Sequence, residues 1–251
     1  MKTSVPKLSD FLRLDQLELE LVERMTIETR QFRRHDIIRA QGEPAREIFY
    51  LAEGWVGACV DIAAGSRQMV KIHLPSDLLG TPSLVLDGAA ETLLALNAVT
   101  VEVIPASEFA KLFMSVPRLA SAMFLAAQKE RVMLMDRLTS VARTTAMQRL
   151  AAFLVLLHQR LAVINGKAEP AFDLPLSQEE LADVLGITPV HANRTVAQLD
   201  ETGLIERKGR RITIRDLPGL RSLGAVPERR FECDPQWKVT VPGTGWRSAR
   251  A

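Results

Sequence analysis

The sequence predicts an α+β fold of two domains joined by a long helix, and three observations carry that expectation. Residues 31 to 105 hold short apolar stretches cut at brief intervals by Gly, Pro, Asp and Ser, the pattern of an all-β barrel or roll. Residues 105 to 165 place apolar side chains at helical spacing. Residues 177 to 215 hold two short capped helices followed by two β-stretches around a basic turn. The length of 251 residues suits two domains at roughly 100 to 200 residues each.

At the front, Phe11, Leu14, Leu17, Leu21 and Met25 recur at helical spacing and predict a short helix over 11–30. The β-type stretches that follow are IFYLAEG, GACVDI, MVKIHL, TLLALNAV and VEVIP, with Ala64-Gly65-Ser66 as a hairpin turn between two of them. Helical sequence opens after Pro105 and restarts at Pro117. Leu125, Val132, Met135 and Leu138 then fall on one stripe with Leu134 and Val141 beside it, while Lys129, Glu130, Asp136 and Arg137 fall largely elsewhere. Such a stripe either pairs with a second copy of itself or packs on the β domain. A further helix from about Thr145 carries Met147, Leu150, Leu154, Leu157 and Leu161 and stops in Asn165-Gly166, with a polar loop from there to Pro175.

Composition narrows the function classes. Hydrophobic residues make up 47% and charged residues 25%, as in ordinary globular chains. The longest apolar run, 150–157, is far short of the roughly 20 residues of a membrane span, and the N-terminus has no apolar signal region. A cytoplasmic protein without membrane contact is expected. Cys59 and Cys233 are too few and too far apart for a disulfide framework or an all-cysteine cluster. His35, His73, His158 and His191 are isolated, so no metal site is expected, and no phosphate-cradling Gly-rich loop or nucleophile elbow occurs. The expectation is a non-enzyme without a cofactor. The net charge of +2 says little by itself about nucleic acid, because placement decides.

Placement is informative from Ser177 onward. Ser177 followed by Glu180 is a capping box that starts a short helix, with Leu181 and Leu185 on one face and Gly186 at its end. Ala182 is small enough to let a second helix approach. Thr188 caps that second helix and Pro189 sits at its first position, where a missing N–H costs nothing. This is a helix-turn-helix, whose second helix lies in the major groove. Thr188, Pro189, Val190, His191, Asn193 and Arg194 form the candidate exposed edge, while Val196 and Leu199 continue the buried side. Arg194 is the leading candidate reader, because a guanidinium fork bonds guanine O6 and N7 together. Ile205 and Ile212-Thr213-Ile214 flank Arg207-Lys208-Gly209-Arg210-Arg211 as a wing, in which Lys208 and Arg210 are candidate phosphate contacts.

With these motifs in place, residues 11–215 resemble the Crp/Fnr family of dimeric regulators. The resemblance runs through Gly42-Glu43-Pro44, Ile48-Phe49-Tyr50-Leu51, Gly54 and Asp77-Leu78-Leu79-Gly80 in front, and through Leu185-Gly186-Ile187-Thr188-Pro189-Val190-His191-Ala192-Asn193-Arg194 behind. It implies a cyclic-nucleotide-binding-like β-roll over 1–116, a dimerisation helix over 117–144 and a winged helix-turn-helix DNA-binding domain over 145–216. It further implies double-stranded DNA as partner, a homodimer pairing through Leu125, Val132, Met135 and Leu138, and RNA polymerase as a candidate partner.

The chain departs from cAMP-binding members of that family at the ligand site. The Gly-Glu pair that holds the ribose corresponds to Gly80-Thr81, the Arg-Ser pair that holds the cyclic phosphate to Glu91-Thr92, and the polar residues facing the base to Leu134 and Met135. Control by cAMP is therefore not expected. The cysteine cluster of redox-sensing members is also missing. Residues 217–251, with Pro218, Pro227, Pro235 and Pro242, read as a flexible or loosely docked extension in which Trp237 and Trp246 leave a packing role open. The rival reading is a metabolite-sensing or scaffolding β-roll that touches no DNA. The exposed polar set His191, Asn193 and Arg194 argues against it.

Overall fold

A computed structural model of the chain describes residues 20, 24–62, 66–227 and 229. Its front half is a roll of two four-stranded antiparallel sheets. The first has the order β1-β8-β3-β6, from β1 Glu28–Phe32, β3 Glu47–Glu53, β6 Leu78–Leu79 and β8 Val99–Pro105. The second has the order β2-β7-β4-β5, from β2 Ile37–Arg39, β4 Val56–Ile62, β5 Ser66–His73 and β7 Thr92–Ala95. Alternation assigns each strand residue a face. Phe49 and Leu51 point inward and meet Val56, Ala58, Leu93, Val101 and Val103 from both sheets in one core. Ile48 points the other way, against Met25, Ile104, Phe109 and Leu119.

Helix α1 (Ala106–Ser115) covers that outer face and hands over to α2 (Pro117–Arg143), a 27-residue helix with Pro at its start. Helix α3 (Ala146–Asn165) follows a Thr145–Gln148 capping box and ends at Gly166, whose φ of 71° is the left-handed conformation glycine adopts cheaply. Long and apolar enough to cross a membrane, α3 here buries Leu150, Ala151, Leu154, Val155 and Leu157 as the spine of the C-terminal head.

The head comprises α4 (Gln178–Leu185), α5 (Pro189–Glu201), a three-stranded sheet of order β10-β11-β9 (Ile205–Lys208, Arg211–Ile214 and Ala171–Asp173) and α6 (Leu217–Leu223). Head and roll share a hydrophobic core. Cys59, Met69, Ile72, Leu74, Leu94 and Leu96 of the roll belong to the same buried cluster as Leu150, Leu154, Leu181, Leu185, Val196 and Leu199 of the head.

Three expectations need correction. The helix predicted over 11–30 does not extend to its stated end: residues 28–32 are strand β1, with Glu28 opposite Val103 and Phe32 opposite Val99. The apolar stripe stops at Met25, and the open edge of β8 supplies backbone partners that a polar helix end lacks. Phe11, Leu14, Leu17 and Leu21 lie outside the described residues, as do Ala64 and Gly65 of the hairpin turn. The strands flanking that turn do pair, Ile62 opposite Ser66. The polar loop before Pro175 contains β9, which completes the wing sheet by pairing Phe172 with Ile212.

The C-terminal extension, expected to be flexible or loosely docked, instead opens with helix α6 over its first seven residues. Asp216 caps it by accepting from the Gly219 N–H at 2.9 Å, and Leu220 is fully buried in the head core. Trp237 and Trp246 lie outside the described residues.

Candidate nucleic-acid interface and effector pocket

The helix-turn-helix is built by local bonds that the sequence specifies. Ser177 Oγ accepts from the Glu180 N–H at 3.1 Å while Glu180 Oε2 accepts from the Ser177 N–H at 2.6 Å. Gly186, at φ 67° and ψ 44°, ends α4, and its N–H closes on the Ala182 carbonyl. Thr188 Oγ1 then accepts from the His191 N–H at 3.3 Å to start α5. That helix divides cleanly. Ala192, Thr195, Val196 and Leu199 are buried. Thr188, Pro189, Val190, Asn193 and Arg194 are exposed, and Val190, an apolar side chain, is 83% exposed. His191 is half-buried. Arg194 makes no hydrogen bond or ion pair among the described residues.

Beside this edge, β10 and β11 pair Lys208 with Arg211 across a two-residue turn, Gly209-Arg210, in which Gly209 takes φ 62°. Asn193, Arg207, Gly209 and Arg210 line one cleft between α5 and the wing. The wing cations are not equivalent. Lys208 is 2.5 Å from Glu206, which Arg215 also pairs, and these contacts hold the Glu206 carboxyl below the usual carboxylate range. Arg211 lies 3.7 Å from Asp173. Arg210 is exposed and without such a partner among the described residues.

The effector-pocket candidates separate into two groups. Gly80, at φ 78°, and Glu91 lie around a side chain that sequence reasoning missed, Arg39. Arg39 is only 5% exposed. Its Nη1 donates to the Glu47 carbonyl at 2.9 Å and its Nη2 to Ser83 Oγ at 3.2 Å, and its guanidinium stands 5.8 Å from the Phe49 ring centre. A Cβ on Gly80 would collide with that guanidinium. Burial lowers the Arg39 pKa, and nearby Glu91 opposes that shift; burial raises the Glu91 pKa, and Arg39 opposes it in turn. The signal available in sequence was one cation inside an apolar strand of the roll.

Thr81 opens the short 3-10 turn Thr81–Val85 that carries Ser83, and Thr92 Oγ1 accepts from the Gln41 N–H at 3.0 Å and donates to Asp61 at 3.0 Å; neither threonine is hydrogen-bonded to Arg39 among the described residues. Leu134 and Met135 are exposed on α2. Near Leu134 and Met135, the α2 side chains that bond to the roll are charged: Glu130 pairs with Lys71 of β5, and Arg137 bonds to β5 carbonyls. The dimer candidates Leu125 and Val132 are half-buried, and Leu138 is 71% exposed.

Two family models match. Residues 29–116 fit the cyclic nucleotide-binding domain, and residues 148–223 fit the Crp-like helix-turn-helix domain. Among curated relatives, the transcriptional regulatory protein btr of Bordetella pertussis is 26% identical over 206 residues, covering 82% of this chain and 85% of that protein. The nitrogen fixation regulation protein FixK of Azorhizobium caulinodans is 29% identical over 198 residues, covering 76% and 77%. Among solved structures, FixK2 from Bradyrhizobium japonicum superposes with a TM-score of 0.72 at 26% identity, over 80% of this chain and 98% of that one. With both domains matched in order and joined by a long helix, the chain belongs to the Crp/Fnr family of transcription regulators.

Proposed function

We propose that this regulator binds an inverted-repeat operator as a homodimer, without cAMP as its effector. The observation that carries the reading is the exposed edge of α5, where Val190, Asn193 and Arg194 stand clear of the protein beside the Arg210 wing tip. Solvent-facing side chains at the start of a rigid, capped helix are placed to enter a major groove, with Arg194 reading a guanine and Thr188, Pro189, His191 and Asn193 beside it. Lys208 and Arg210 contact phosphates and position the helix without reading sequence.

Pairing runs along α2. Phe124, Leu134, Met135, Leu138 and Val141 are all exposed on one chain, and a run of this size on a single helix marks an interface. A second copy covers it, bringing Leu125, Val132, Met135 and Leu138 into a two-fold seam. Two recognition helices then meet half-sites about one helical turn, roughly 34 Å, apart. The protein acts by binding in the cytoplasm, with RNA polymerase as a further partner at the promoter, and catalyses no reaction.

At the effector pocket, Arg39 fills the space beneath Gly80, and Glu91 stands where a phosphate-gripping cation is needed. Selection of bound sequences from a random duplex pool tests the central reading. Enrichment of a two-fold symmetric site is the expected result, and enrichment of no sequence, or of a single half-site, counts against it.

A further inference from the structure

Arg137 of α2 reaches both the roll and the helix-turn-helix by hydrogen bonds. Its Nη1 donates to the Val70 carbonyl at 3.0 Å, and its Nη2 donates to the carbonyls of Met69 and Val184 at 2.7 Å each. These acceptors are available for identifiable reasons. Strand β5 is the edge of its sheet, and its pairing with β4 shifts register: Ala58 faces Lys71 but Cys59 faces Met69, so Val70 is the extra residue of a bulge. Bulged edge strands leave backbone groups outside the ladder. Val184 lies in the last turn of α4, where helical carbonyls have no partner further along the helix.

The same turn is held from the roll by two other side chains. Gln68 donates to the Asp183 carbonyl, and Arg67 Nε donates to Asp183 Oδ2 at 2.8 Å. A cation at this end of α4 also complements the helix dipole. Burial lowers the Arg137 pKa, consistent with a guanidinium enclosed by carbonyls rather than water. Only the Gly186–Ile187 turn separates α4 from the Thr188 cap of the recognition helix, so whatever fixes the end of α4 fixes the direction of α5.

We propose that Arg137 is a positioning residue for operator recognition: by joining α2 to the β5 bulge and the end of α4, it sets the half-site spacing that the dimer accepts. The proposal rests on the homodimer reading above. A planar fork suits this role because its donors point in fixed directions, whereas a lysine ammonium is a point charge on a flexible stem.

The test uses full-length protein carrying Arg137→Met or Arg137→Lys and a series of operators whose half-sites are moved apart or together by one and two base pairs. Wild-type protein should prefer one spacing by about tenfold or more, since docking both helices is a geometric constraint. Folded, dimeric Arg137→Met should bind the neighbouring spacings within about threefold of one another while still rejecting point changes inside a half-site. Arg137→Lys should fall between the two, and it decides the matter if Arg137→Met does not fold. Wild-type spacing preference in both variants overturns the proposal, and so does a uniform loss at every spacing, which marks a merely structural role. Wild-type protein that binds no inverted repeat removes the homodimer reading instead, and this inference with it.

Discussion

Arg160 of α3 donates to Asp77 Oδ2 of the roll at 2.8 Å, and its other terminal nitrogen donates to the Ile72 carbonyl at 2.7 Å. The Asp77 carboxylate is buried and also accepts from the Leu74 N–H at 2.9 Å. The DNA-binding head is thus bolted to the roll through a charge that the roll itself has buried. Removing one partner of such a pair costs more than the pair contributes, because the other charge stays behind.

Arg160→Met should therefore destabilise the chain by about 2 kcal/mol, discounted from larger buried-pair values because Arg160 is partly open to solvent. Urea unfolding gives the figure. An unchanged midpoint would mean that the head and roll are held by the shared apolar core alone.

Next to this pair, His73 is 4% exposed, and its Nδ1 lies 3.7 Å from Asp77 Oδ2, too far for a hydrogen bond. Burial, seconded by Lys71, lowers its pKa to about 4. The unfolded chain binds this proton near pH 6.5 and the folded chain does not, so stability is complete above 6.5 and falls as pH drops towards 4. By pH 5 the loss attributable to His73 is about 2 kcal/mol. His73→Leu should show a flatter decline between pH 7 and 5, and an identical slope would assign the acid sensitivity to other groups.

Local signals were legible in the sequence and distant ones were not. The Ser177–Glu180 and Thr188 caps and the Gly186 turn depend on residues within four positions of each other, and the sequence places them correctly, as it does the two faces of α5 apart from His191, which is half-buried instead of exposed. Strand β9 is not legible because three residues carry no alternation, and α6 is hidden by the prolines spread through the tail although Asp216 and Leu220 make a capped apolar turn. Arg39 reaches Ser83 across 44 residues, Arg137 reaches Val70 across 67 and Arg160 reaches Asp77 across 83, and nothing near them in the chain announces those bonds.

On DNA, the unpaired surface position of Arg194 makes a clean substitution. Arg194→Ala should cost about 1 to 3 kcal/mol of operator binding and relax selectivity at one base pair per half-site, with no change in melting temperature. Arg210→Ala should weaken all sequences alike and reduce the salt slope by about 1, while Lys208→Ala should do less because Glu206 already holds that lysine. Titrations against matched and mismatched duplexes at several salt concentrations separate these effects. Selectivity intact in Arg194→Ala would reassign the reader.

For assembly, the exposure of Leu138 on a single chain is useful, because a charge there does not disturb the fold of one subunit. Val132→Glu with Leu138→Glu should give folded monomers, since an unpaired charge in an apolar seam is costly to bury. Sedimentation of the double variant as an intact dimer would move the interface away from α2. Operator affinity should fall as dimerisation is lost, because each monomer holds only one half-site.

Neither cAMP nor cGMP should bind in the micromolar range or change operator affinity. A cyclic phosphate carries one negative charge and is held best by a guanidinium fork aided by backbone N–H groups. The buried cation in this pocket, Arg39, has its terminal nitrogens engaged by the Glu47 carbonyl and Ser83 Oγ, and Gly80 lies directly against it. Glu91, 7% exposed, is the residue that the family resemblance sets at the phosphate-gripping position, and a carboxyl group there would repel a phosphate. Thr81 lacks the carboxylate that would grip a ribose, and Leu134 and Met135 present no strong hydrogen-bonding groups to a base. Calorimetry with each nucleotide, paired with operator binding in its presence, checks this. Arg39→Ala decides the role of that side chain: it should lower the melting temperature of the roll and still leave the protein indifferent to both nucleotides. Micromolar binding that strengthens operator affinity in the wild type and vanishes in Arg39→Ala would overturn the reading and make Arg39 the phosphate fork of a rebuilt site.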